Sequence, residues 1–136
     1  MTQSEIYQAQ SAKSLKSYLQ DVSRLAESRG FLIHNAERMD MRQMFVEHGH
    51  PVPDDFDLHM IQLCKPEKAS KSLSKNPDRA PLMPKFIMIF SKEGKTMIRL
   101  LTYGTDFVSG LLDDDEFPES LVQSFDALKT VIDEAC

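Results

Sequence analysis

Apolar and polar positions along this chain follow two rhythms. Between Ala12 and Arg29, the residues Leu15, Tyr18, Leu19, Val22, Leu25 and Ala26 recur at steps of three and four. That spacing predicts an amphipathic helix, with Ser11 as N-cap and Gly30 as left-handed terminator. Near the other end, Pro118 opens a second such helix, whose stripe is Leu121, Val122, Phe125, Leu128, Val131 and Ile132. Between the two, the rhythm shortens. Leu58 to Cys64 and Phe86 to Phe90 are nearly continuous apolar runs, the pattern of strands buried in a sheet. Pro66 starts a short helix between them and Asn76-Pro77 ends it, which puts Cys64 at a strand end just before a helix N-terminus. Glu93-Gly94-Lys95 forms a tight turn into a strand over Thr96 to Tyr103, so the strands on either side make an antiparallel hairpin.

The weaker segments complete the order. Residues 1–10 form a first strand or a flexible arm, with Ser4 to Gln10 alternating around Ile6, and Phe31 to Asn35 reads as a short strand. Asp40 caps a helix carrying Met41, Met44 and Phe45 that stops at Gly49, and Thr105 or Asp106 caps a helical piece with Phe107, Val108, Leu111 and Leu112. The succession predicts one α+β domain over residues 1–136, with helices on one face of a mixed or antiparallel curved sheet.

Composition narrows the function classes. A hydrophobic fraction of 41% and a charged fraction of 27% are those of a globular domain with one core. No apolar run approaches the ~18 residues of a membrane span, and the first residues lack the basic start and apolar core of a signal peptide. The expected location is the cytoplasm, with no membrane partner. Cys64 and Cys136, a strand end and the last residue, make poor disulfide partners, so both thiols are expected reduced. A net charge of −5 argues against a nucleic-acid partner, since the richest basic stretch, Lys65 to Lys75, is interrupted by Glu67.

Cys64 is the leading chemical candidate. A helix start and the neighbouring Lys65 and Lys68 favour a thiolate, although a strand-end cysteine sharing parity with Phe56, Leu58 and Met60 is better suited to inert packing. His48-Gly49-His50 sets two imidazoles on one loop, with Glu47, Asp54 and Asp55 as oxygen donors, which suits a metal or a solvated loop. His34 and His59 fall on predicted strands, where they serve a ligand or a haem edge, or simply the sheet. Asp113 to Glu116 reads as a cation site or a solvated helix cap. No phosphate-binding glycine pattern or catalytic triad spacing is present.

Gly30-Phe31, Leu63-Cys64-Lys65-Pro66 with Ala69 and Leu73, Asn76-Pro77, and Leu82-Met83-Pro84 leading into Phe86-Ile87-Met88-Ile89 together resemble the prokaryotic family of domain of unknown function 302. The match runs from Gly30 to Tyr103. The resemblance implies a TBP-like α+β fold and frequent homodimers, and no established activity. Family members often carry a cysteine directly after the second-motif proline, where this chain has Lys85, so a two-cysteine metal or redox site is not expected here. The leading expectation is a noncatalytic homodimeric module that binds a small ligand, metal or cofactor on the open sheet face through Cys64, His59 and His34. The alternative is a thiol enzyme or redox protein with Cys64 as nucleophile, Lys65 or Lys85 activating it and a histidine as base.

Overall fold

A computed structural model describes residues 3–136. Strands β1 (Glu5–Ser11), β2 (Leu32–Ile33), β3 (Leu58–Cys64), β4 (Lys85–Lys92) and β5 (Lys95–Thr102) form one sheet in the order β1-β5-β4-β3-β2. Every pairing is antiparallel, so the sheet is not mixed, and both end strands remain as edges. The β4–β5 hairpin closes through Glu93 (φ 54°) and Gly94 (φ 74°), a two-residue turn with both dihedrals left-handed. Such a turn matches the strand twist, which fixes the register at Lys92 opposite Lys95.

The alternation of side chains decides what each face does. Ile61, Leu63, Ile87, Ile89, Ile98 and Leu100 share one face and are fully buried. Helices α1 (Leu15–Ser28) and α5 (Phe117–Ala135) supply the opposing layer, through Tyr18, Val22 and Ala26 on one and Leu121, Phe125, Leu128, Val131 and Ile132 on the other. Tyr18 crosses between them and donates its hydroxyl to the Ile132 carbonyl at 2.9 Å, so its polar end is satisfied inside the core. The other face carries Met60, Gln62, Phe86, Met88, Phe90, Met97 and Arg99, all partly exposed, with Ile6 and Leu101 more than half exposed.

Two helix starts differ from expectation. Helix α1 begins at Leu15 with Ser14 as its cap, whose hydroxyl accepts from the Ser17 N–H at 3.2 Å. Ser11 is unavailable because it ends β1, buried opposite Thr96. Helix α4 (Thr105–Leu111) is entered from Gly104, and Thr105 and Asp106 lie within its first turn. Helices α2 (Met41–Glu47) and α3 (Pro66–Lys75) start where Asp40 and Pro66 predict.

Beyond α3 the chain makes a 3-10 turn over Pro77–Leu82 that the apolar pattern does not announce. It buries Arg79 against Asp114, Nε to Oδ2 at 2.6 Å and Nη2 to Oδ1 at 3.0 Å. Asp114 also accepts from the backbone N–H groups of Glu116 and Phe117, so it caps the start of α5 as well as pairing with Arg79. The guanidinium and these donors hold its carboxyl well below the usual carboxylate range. Of the acidic run Asp113 to Glu116, this residue is therefore a structural anion, with only 6% of its side chain exposed.

Candidate functional site

A cavity of about 160 Å³ lies on the helix-covered side, where α3, α5 and the ends of β3 and β4 meet. Phe31, Met83, Phe117, Leu121 and Ala127 give it apolar walls, and Ser72, Ser120, Gln123 and Ser124 add neutral polar groups. Its ionisable groups are Lys65 and Lys68 at the start of α3, Lys85 at the start of β4, and the Cys64 thiol. Among the described residues, no aspartate or glutamate lines it.

Lys85 is the unusual member. It pairs with Leu63 across β3 and β4 on the buried face, continuing the row of Ile87 and Ile89, so its parity drives its side chain under the helices. Only 7% of the residue is exposed. Its ammonium donates to the Met83 carbonyl at 3.1 Å and sits 5.5 Å from the centroid of the Phe125 ring. Neither partner is a full negative charge, although buried lysines are ordinarily paired with one. Burial first, and the charge of Lys68 second, push its pKa down to about 8, against a smaller opposing pull from Cys64.

Lys68 guards the opening. Its Nζ donates to the Ser124 hydroxyl at 2.9 Å and the Ser120 carbonyl at 3.3 Å, bridging α3 to α5, and its pKa is also lowered by partial burial and by Lys65. Lys65 stands over the Phe31 ring at 4.9 Å. The cavity is thus a small apolar pocket in a ring of ammonium groups, complementary to an anion with an apolar body.

The residues singled out by the sequence do not all converge. Cys64, the last residue of β3, borders the cavity, and its Sγ lies 3.0 Å from His34 Nε2, at hydrogen-bonding distance. His34 continues past β2, its N–H donating to the Gln62 carbonyl, so Cys64 and His34 meet at an exposed corner of the sheet. His59 is elsewhere. It shares parity with Ile61 and Leu63 and points to the helix-covered face, where it lines a separate depression with Leu15, Leu19 and Asp57. Its Nδ1 is buried 3.4 Å from Asp57 and makes no hydrogen bond among the described residues. The run Leu58 to Cys64 is apolar at both parities, which is why its pattern leaves the face of His59 undecided.

His48 terminates α2 and His50 follows Gly49 on an exposed loop. Among the described residues, no three His, Cys, Asp or Glu side chains gather as metal ligands there or elsewhere. The open sheet face carries a shallow groove of about 550 Å³ formed by Phe56, Leu58, Met88 and Phe90, with Arg99 stacked over Phe90 at 5.4 Å. The groove is at the far end of β3 from Cys64. The cavity next to Cys64 therefore opens under the helices, on the opposite face from the one expected. Among the described residues, no helix is long and apolar enough to cross a membrane.

The family described as Domain of unknown function DUF302 matches residues 7–135. The crystal structure of uncharacterized conserved protein DUF302 from Bacillus stearothermophilus has the same fold, with a TM-score of 0.79 over 96% of this chain and 98% of that one at 15% sequence identity. No curated protein matches the chain.

Proposed function

The chain belongs to the DUF302 family, a domain of unknown function, and on that footing we propose that it is a binding module for a small organic anion, held in the Lys85 cavity. One observation carries the reading. A buried ammonium with no carboxylate partner is costly to keep, and a ligand carboxylate would supply the missing charge. The volume sets the size of the guest, since a cavity of ~150 Å³ accepts a benzene-sized molecule. The apolar walls favour a short alkyl body over a fully polar ion.

Titration calorimetry with butyrate and with 1-butanol tests this. Butyrate binding at one per chain, with butanol at least tenfold weaker, is the expected result. Equal affinity for the two, or none for either, overturns it. Replacing Lys85 with Met removes the preference for the acid.

A second reading, a thiol enzyme with Cys64 as nucleophile and His34 as base, is favoured by the 3.0 Å contact between them. In that case His34→Ala slows iodoacetamide labelling of Cys64 several-fold at neutral pH, and an unchanged rate rejects the base. The exposed apolar residues Ile6, Leu32 and Leu101 and the groove of the open sheet face support a homodimer, which light scattering behind size exclusion tests directly. The two free thiols suit a reducing compartment, the cytoplasm.

A further inference from the structure

We propose that the Lys85 cavity captures 2-oxo acids covalently, with Lys85 forming an imine with the substrate carbonyl while Lys68 holds the carboxylate. The inference rests on the anion-binding reading above and assigns that site a reaction and a substrate class.

Three features of the cavity support it. An imine-forming lysine must present a neutral amine, and a buried amine among apolar walls loses the solvation that favours its charged form. Lys85 has that environment, and its lowered pKa leaves roughly a tenth of it neutral at pH 7. Second, the two amines differ in setting. Lys85 is buried and held by a single carbonyl, Met83, whereas Lys68 is at the mouth, anchored to Ser120 and Ser124, and fits the role of fixed cation. Third, Phe31, Met83, Phe117, Leu121 and Ala127 give the cavity apolar walls, which accommodate the alkyl part of a small oxo acid. A simple carboxylate uses only the charge; a 2-oxo acid, with its carbonyl next to the carboxylate, uses both amines.

The step balances without any other reagent. The neutral Lys85 nitrogen attacks the carbonyl carbon, and a C–N bond forms as the C=O pair moves to oxygen. The resulting carbinolamine loses its hydroxyl as water, which takes away both amine protons and leaves a C=N bond. No oxidant or reductant takes part, and the imine is reversible.

The test uses the full chain with 2-oxobutyrate and sodium cyanoborohydride, which reduces imines to stable secondary amines. Intact mass spectrometry is expected to show one adduct per chain, and peptide mapping is expected to place it on Lys85. Butyrate in excess should protect, and Lys85→Met should abolish the adduct. An adduct spread over surface lysines, or placed on Lys68, overturns the assignment. Calorimetry on the same sample separates the two readings: 2-oxobutyrate binding without an adduct overturns imine formation and leaves anion binding standing. Absence of both binding and adduct removes both. Because the mapping is done on the wild-type protein, the test does not depend on the variant folding.

Discussion

Replacing Lys85 by methionine should make the protein more stable, and the gain should depend on pH. In the folded state only 7% of the residue is exposed, and its pKa falls from the ordinary 10.5 to about 8. Below pH 8 both the folded and the unfolded chain carry the proton, and the folded chain bears the whole cost of burying the charge. Between pH 8 and 10.5 the unfolded chain holds a proton that the folded chain has released, so wild-type stability rises with pH across that window. At about 1.4 kcal/mol per pKa unit, the displacement corresponds to about 3 kcal/mol. Methionine has similar length, no charge and good tolerance of irregular cores, so it removes this cost without opening a cavity. Urea unfolding of both proteins at pH 7 and pH 10 is the assay. The variant should be about 2–3 kcal/mol more stable at pH 7, moving the midpoint by about 1–2 M, with most of the difference gone at pH 10. A variant less stable at pH 7, or a difference that does not change with pH, refutes the claim that Lys85 is a buried charge without a counter-ion. Butyrate should raise the stability of the wild type at pH 7 and leave the variant unchanged.

Three further outcomes follow from other parts of the fold. Asp114→Asn should lower the urea midpoint at pH 7, and the gap to wild type should shrink as pH falls below 4, because the lowered Asp114 pKa contributes stability that is lost as the carboxyl protonates. Ser14→Ala should cost about 1 kcal/mol by freeing the N–H of Ser17, whereas Ser11→Ala should leave the start of α1 in place; helix signals in circular dichroism and urea midpoints measure both. Ile61→Ala, at a fully buried position of β3, should cost about 2–5 kcal/mol in the same unfolding assay.

The architecture was legible where one periodicity dominated. Helices α1 and α5, the β4–β5 hairpin and the Pro66 start of α3 all follow from spacing and from proline and glycine chemistry. The candidate site was legible only in pieces. Cys64 at a strand end, with lysines on the following helix, is visible in the chain, but the pairing of Cys64 with His34 depends on the β2–β3 register. In the chain Lys85 stands out only for following Pro84, and nothing local announces its burial, because lysine is among the residue types least often buried. The signal that places it is its parity with Ile87 and Ile89, and that parity becomes decisive only once the buried face is known. Arg79 and Asp114 are 35 residues apart, so nothing local announces their pairing.

The most direct test of the anion-binding cavity is a ¹H–¹⁵N NMR titration of the full chain with butyrate. Binding in the cavity predicts saturable shifts at Ala69, Lys85, Leu121 and Ser124, with Met60 and Phe90 on the open face unmoved. Shifts confined to the open face, or no shift at any of these residues, would contradict it.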